Sequence, residues 1–273
     1  MQLPGPGVLG PPRDRETALA VLRRAVELGV NHIDTAQYYG PDVANELIHA
    51  ALHPYPDDLV LVSKVGADRD PDGNWLPAQR PEQLRAGVEA NLRSLEVEQV
   101  GAVNLRLLDA GPEDDGEHVD LESQLAEMIA LRDEGKIGGI GISNVSLDQL
   151  RVARAAGLAC VQNAYSLVDR AAEPLLEVCG HDDIAWVPYF PLGSAFPGMP
   201  KVADQPAVLA AADGLGVTPA QVGLAWLLTH APNILLIPGT SSVEHLAQNI
   251  ATADVHLDDD TMSTLDETWP DAS

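Results

Sequence analysis

A chain of 273 residues with 45% hydrophobic and only 4% aromatic side chains has the material for a substantial core packed mainly by aliphatics, as in a parallel-sheet protein. With 16 Lys and Arg against 41 Asp and Glu the net charge is −25, which sets aside nucleic acid and anionic membrane surfaces as partners for the body of the molecule. No Ser/Gly/Pro-rich linker divides the sequence, so a single domain over residues 1–273 is expected. Cys160 and Cys179 lie in the apolar strings LACVQ and LLEVCG, the setting of reduced thiols in a cytoplasmic protein. A basic-then-apolar leader and a run of about 18 apolar residues are both missing, which fits a cytoplasmic location.

Taken in order, residues 1–15 are rich in Gly and Pro and read as a loop, and a helix follows from Glu16 to Leu28 with Gly29 ending it. Val30 to Asp34 reads as a strand, Val43–Leu52 as a helix and Leu59–Ser63 as a second strand, followed by a long polar loop, Gly66–Arg80. Pro81–Leu95 is helical by periodicity with Pro in its first turn. The alternation then continues: strands at Val100–Leu105, Ile137–Ile142, Leu158–Gln162, Ile184–Val187 and Ile234–Ile237, with helices near Val119–Glu134, Leu147–Ala156, Ala172–Cys179, Gln205–Leu215 and Pro219–His230.

Short apolar strands alternating with amphipathic helices predict right-handed βαβ units and a parallel sheet. About seven strands fit a closed (β/α)₈ barrel better than an open sheet. A Rossmann domain is disfavoured because no G-x-G-x-x-G follows the early strands. Barrels place their chemistry at the C-terminal strand tips, and here those tips carry Asp34, Lys64, Arg106, Ser143 with Asn144, Gln162 with Asn163, Tyr189, and Gly239 with Thr240. The segment Gly29–Gly40 shows the pattern best: an apolar run that ends in Asp34 and, five residues on, Tyr39.

The strings DTAQYYG, VSKVG, IGISN, VQN, PYFPLGS and IPGTSSVEHLAQN stand in an order that resembles the aldo-keto reductase family nearly end to end. The resemblance implies that Tyr39 is the general acid of a carbonyl reduction, that Lys64 stabilises its phenolate, and that Asp34 holds Lys64 in place and charged. Where the family usually has a histidine at the fourth strand tip, this chain has Arg106, in VNLRLLD. Arginine cannot shuttle a proton, but it can hydrogen-bond and polarise a carbonyl oxygen; the alternative is a salt bridge to a loop carboxylate. VNLR, the early GPP-x-DR, WLPA and the late PGTSSVEHL resemble the branch containing pyridoxal reductases, which makes pyridoxal the leading substrate.

By the same resemblance Ser143, Asn144 and Gln162 hold the nicotinamide carboxamide, Tyr189 stacks on its ring, and Leu192, Gly193 and Ser194 approach the pyrophosphate. Gly239, Thr240, Ser241, Ser242, His245, Gln248 and Asn249 match the segment around the adenosine and its 2′-phosphate, which opens a helix and so favours a phosphate. NADPH is the implied cofactor and a small aldehyde or ketone the implied substrate, with no metal. Other readings are a reductase of a different carbonyl compound and a cofactor-binding regulatory subunit with little turnover; oligomeric state is open. Family members of this kind carry a strand before the Gly/Pro loop, whereas only Met1, Gln2 and Leu3 precede the first proline. A truncated first strand and a weakened seam between Val30–Ile33 and Ile234–Ile237 are therefore expected.

Overall fold

The architecture is given by a computed structural model that describes residues 3–70, 72–108, 119–193 and 198–269. By contacts the chain divides into two compact units, one of Met1–Val161 with Gly239–Val243, the other of Gln162–Pro238 with Glu244–Ser273.

The first unit opens with a 3₁₀ turn at Pro6–Val8, and Leu9 makes an isolated parallel bridge to Gly40; no strand lies in residues 3–8. Helix α1 (Arg15–Glu27) starts at Asp14, whose carboxylate accepts from the Glu16 and Thr17 amides at 3.0 and 3.1 Å. It buries Ala18, Leu19, Val21, Leu22 and Ala25, the face its spacing predicts. Strand β1 (His32–Asp34) and helix α2 (Val43–Leu52) follow, then β2 (Val60–Arg69) and β3 (Trp75–Ala78). Helix α3 (Pro81–Leu95), β4 (Val100–Arg106), α4 (Leu121–Asp133), β5 (Ile137–Ser143), α5 (Leu147–Ala153) and β6 (Leu158–Gln162) continue the alternation. Strand pairs β1–β2, β2–β4 and β4–β5 are parallel, and β6 comes next after β5 in the sheet order. Val103 and Leu105 on β4 and Ile140 and Ile142 on β5 are fully buried, as strands covered on both faces must be. Each such side chain contributes about 1.5–3 kcal/mol through the hydrophobic effect.

In the second unit α6 (Glu173–His181) precedes β7 (Ala185–Trp186), which is followed by α7 (Pro206–Leu215), α8 (Pro219–His230) and α10 (Asp259–Asp266); α9 (Val243–Ile250) begins at the junction residue Val243. Pro219 fills the first position of α8, and Thr218 and Gln221 cap each other reciprocally. Residues Gln221–Leu227 of α8 are buried. Trp226 stacks on His230 with centroids 4.5 Å apart, its indole N–H donates to Asp266 at 3.0 Å, and Arg170 covers its face at 4.4 Å. Cys160 and Cys179 are buried, unbridged thiols. No single helix among the described residues is long and apolar enough to cross a membrane.

Two expectations need correction. The stretch read as a polar loop after β2 is a hairpin: β2 runs on to Arg69, and Gly66–Arg69 pairs antiparallel with Trp75–Ala78. The turn is built on Asp70, whose carboxylate takes the Asn74 amide and side chain at 2.8 and 2.9 Å, and on Gly73 at φ +84°. Ile234–Ile237, read as a strand, gives one parallel bridge, Trp186 to Ile234, and no ladder.

Behind β1 and β2 lies a buried polar network. The Thr35 hydroxyl donates to Asn45 at 2.9 Å, Asn45 donates to Asn91 and Ser94 at 2.9 Å each, and Ser63 donates to Asn91 at 2.6 Å. Asn91 in turn donates to the Gly87 carbonyl at 2.8 Å, so one amide ties α3 to α2 and β2. Asn91→Leu strands the Ser63 hydroxyl without its acceptor and should cost about 2–4 kcal/mol, since an orphaned buried polar group costs about 1–3. A urea midpoint measured at unchanged slope reads this directly; a loss below about 0.5 kcal/mol would show that the network carries no stability.

Candidate active site

The parallel register puts Asp34 opposite Val62, so Lys64, two residues further along β2, leans over the end of β1. There Lys64 Nζ makes a very short ion pair with Asp34 and donates to the Thr35 carbonyl at 3.0 Å. Lys64 is 3% exposed. Burial acts to lower its pKa, but the Asp34 charge and the Tyr39 phenol beside it outweigh that and the net direction is up, so the ammonium is retained. Nζ stands 5.2 Å from the centroid of the Tyr39 ring.

DTAQYYG offers two tyrosines, and the structure separates them. Tyr38 is fully buried against Ala36 and Ala67, and burial, reinforced by Tyr39, drives its hydroxyl well above the ordinary phenol range. Tyr39 is half-buried, edge-on to Tyr38 at 5.4 Å, with its amide bonded to the Ala36 carbonyl at 3.0 Å. Only Tyr39 is both next to Lys64 and open to a small molecule.

Arg106 ends β4. Gly66 on β2 makes room for it: at φ +98°, a Cβ there would lie 2.3 Å from the Arg106 carbonyl oxygen. The Arg106 guanidinium stands 5.1 Å from the Trp75 ring, and Arg69 lies flat on the same indole at 3.6 Å. Burial first, and the Arg106 charge second, pull the Arg69 guanidinium down from its usual value. No salt bridge joins Arg106 to a carboxylate among the described residues, and the acidic loop that follows β4, residues 109–118, lies outside them. Sequence reasoning named Asp34, Tyr39, Lys64 and Arg106 but missed Arg69 and Trp75. A turn string, DPDGN, between two short extended runs was the signal that could have revealed them.

Ser143, at the tip of β5, is buried, and Asn144 follows at φ +60° with Nδ2 donating to the Leu107 carbonyl at 2.8 Å. Thr240 Oγ1 accepts the Ser242 amide at 3.0 Å, a turn leading into α9. These residues belong to the first unit, with Gly239 and Ser241. Within the second unit, Gln162 is buried at the end of β6 and Tyr189 is half-buried, edge-on to Phe190 at 5.1 Å. Leu192 accepts from the Val202 amide at 3.2 Å, and Gly193, at φ +84°, packs so tightly that a Cβ would sit 2.4 Å from the Pro200 carbonyl. His245, Gln248 and Asn249 lie on α9, and Ser194 is outside the described residues. Elsewhere in the first unit His49, His53 and Glu96 bring ligand-type atoms within 4.8 Å of one another at the C-terminal ends of α2 and α3, the ends that lead away from the strand tips.

The site is thus a buried lysine–carboxylate pair on two parallel strands, beside an accessible tyrosine. The family model "Aldo/keto reductase family" matches residues 5–270, and the chain belongs to that family. It is 47% identical over 270 residues to pyridoxine 4-dehydrogenase of Escherichia coli (strain K12), covering 97% of this chain and 91% of that protein. It is 35% identical over 269 residues to an uncharacterized oxidoreductase of Schizosaccharomyces pombe, covering 98% and 84%. Among solved structures, a thermostable aldo-keto reductase in complex with the inhibitor epalrestat superposes with TM-score 0.79 at 30% identity, covering 94% of this chain and 89% of that one. A Klebsiella pneumoniae aldo/keto reductase in complex with NADP and acetate gives TM-score 0.79 at 28% identity, covering 94% and 86%. The fold is thus the (β/α)₈ barrel of aldo-keto reductases, the protein is an oxidoreductase, and the family uses a nicotinamide cofactor.

Gly66→Ala should cost roughly 2–5 kcal/mol, from left-handed backbone strain together with the collision at Arg106. Turnover should fall with stability as the β4 tip is displaced. A variant with wild-type melting temperature and activity would show that the close approach is dispensable.

Proposed function

We propose that this protein is an NADPH-dependent aldehyde reductase with pyridoxal as its leading substrate, working as one domain across the length matched by the family model. The observation that carries the reading is the buried Lys64–Asp34 pair set beside the half-buried Tyr39. The similarity to pyridoxine 4-dehydrogenase supports the substrate, since that protein's name describes the same alcohol–aldehyde pair taken in the oxidising direction.

A nicotinamide cofactor, when bound, supplies the hydride. Tyr39 donates its phenolic proton to the carbonyl oxygen as the carbon becomes an alcohol carbon. The tyrosinate left behind faces the Lys64 ammonium, which Asp34 and the Thr35 carbonyl fix in place. Arg106 hydrogen-bonds the carbonyl oxygen and polarises it, a task for which permanent charge suffices. Ser143, Asn144 and Gln162 would orient the carboxamide and Tyr189 would stack on its ring. Leu192, Gly193 and Ser194 would approach the pyrophosphate, and Gly239 to Ser242 with His245, Gln248 and Asn249 the adenosine end.

NADPH oxidation measured against pyridoxal tests the reading: Tyr39→Phe should lose about 10²–10⁴-fold in turnover with cofactor affinity nearly unchanged. Retention of more than half the activity would place the acid elsewhere. No Lys or Arg lies in residues 237–249, so the 2′-phosphate must rely on hydroxyls, amides and His245. His245→Gln should therefore lower the kcat/KM preference for NADPH over NADH by about 3- to 10-fold, the worth of one exposed polar contact. An unchanged ratio removes His245 from cofactor selection.

A further inference from the structure

The β2–β3 hairpin carries a feature that carbonyl reduction by itself does not require. Arg69 and Arg106 come from different strands, yet both guanidiniums face the ring of Trp75, at 3.6 and 5.1 Å from its centroid. Like charges set side by side cost free energy unless something offsets them. The chain has 41 carboxylate side chains, but among the described residues none pairs with either arginine. The Nε atoms of both are buried without a hydrogen-bond partner among those residues. Arg69 spends two of its five N–H groups on the Gly73 and Gly7 carbonyls, at 2.5 and 3.0 Å, which lock the side chain flat on the indole. Its Nε has no hydrogen-bond partner among the described residues. Trp75 is 40% exposed, so the cluster is reachable from solvent, and Arg106, Tyr38 and Tyr39 are among the charged and aromatic groups that act on Arg69. A rigid, positive, donor-rich cluster with an aromatic wall is what a planar molecule bearing an anionic oxygen requires.

We propose that Arg69, backed by Trp75 and the charge of Arg106, is a specificity-determining residue that selects aldehydes carrying an oxyanion, whether a ring phenolate, a carboxylate or a phosphate. This rests on the aldehyde-reductase reading above and deepens it. Arg69 positions and selects; the proton still comes from Tyr39. In a protein of net charge −25 the cluster also makes a local positive field that draws an anionic substrate toward Tyr39 and Lys64.

The test compares kcat/KM, with NADPH, for benzaldehyde, 4-carboxybenzaldehyde, pyridoxal and pyridoxal 5′-phosphate in the wild type and in Arg69→Met, Arg69→Lys and Trp75→Leu. The wild type should prefer the charged aldehydes at least 10-fold, and whichever of the three charged compounds gains most identifies the oxyanion. Arg69→Met should collapse the charged-to-neutral ratio about 10- to 30-fold, mainly through KM, and Arg69→Lys should recover part of it because an ammonium keeps the charge without the fork. Trp75→Leu, at a ring 40% exposed, should lower the same ratio even if Arg69→Met fails to fold. No charged-aldehyde preference in the wild type, or equal loss on charged and neutral substrates in both Arg69→Met and Trp75→Leu, overturns the proposal and leaves Arg69 as a clamp on Gly7 and Gly73. Benzoate titrated against indole fluorescence separates the two readings. If no aldehyde is reduced but benzoate binds in an Arg69-dependent way, the reductase reading fails and the oxyanion site stands. If aldehydes are reduced but benzoate binds the wild type and Arg69→Met alike, the oxyanion site fails alone.

Discussion

The site depends on a charge that has been taken out of water. Lys64 is almost completely buried, and an unpaired ammonium there would cost several kcal/mol or surrender its proton. Asp34, on the adjacent strand, prevents both outcomes, and its effect on Lys64 outweighs desolvation. The pair exists only in one register: Asp34 opposite Val62, with Lys64 two residues further on. A slip of one residue would turn every side chain of the strand to the opposite face. That register is secured from behind by the Thr35–Asn45–Asn91–Ser63 network, two of whose members, Thr35 and Ser63, adjoin Asp34 and Lys64 in the chain. A polar network in the core of the first unit thus serves the geometry of a buried charged pair.

Around that pair the hairpin provides shape. Because β2 continues past the sheet into an antiparallel turn, it brings Trp75 against Tyr38, ring centroids 5.3 Å apart, and Arg69 onto Trp75. The N-terminal loop joins the arrangement through Arg69 to the Gly7 carbonyl and through Leu9 to Gly40. The Leu9 side chain also lies where a Cβ on Gly73 would intrude, at 2.6 Å. Three segments distant in sequence are therefore held to one another around Tyr39.

The charge of this protein works on two scales. Over the whole surface the excess of carboxylates gives a net charge of −25 and a negative far field. Around Tyr39 the balance is reversed: Lys64, Arg69 and Arg106 gather within one unit, with Asp34 the carboxylate that pairs with Lys64 among the described residues. Net charge describes the far field, whereas the side chains within a few ångströms decide what enters the site.

Much of this was legible in the residues themselves. Apolar runs ending in Asp34, Lys64, Arg106 and Ser143 mark where the parallel strands open onto the site, because a strand buried on both faces is mostly apolar along its length. Helices such as Val43–Leu52, Pro81–Leu95 and Pro219–His230 appear where periodicity and proline place them, since these signals are local. What only the tertiary structure decided depends on partners that sequence spacing does not specify. Tyr38 and Tyr39 are adjacent and chemically identical, and their burial against Ala36 and Ala67, or exposure beside Lys64, separates them. Ile234–Ile237 has a strand's composition but finds a partner only at Ile234, because a ladder needs a neighbour as well as propensity. Arg69 and Trp75 sat in a stretch whose polarity reads as loop. Antiparallel pairing of Gly66–Arg69 with Trp75–Ala78 made them one surface facing Arg106, a contact between chain positions more than 30 residues apart that no local pattern encodes.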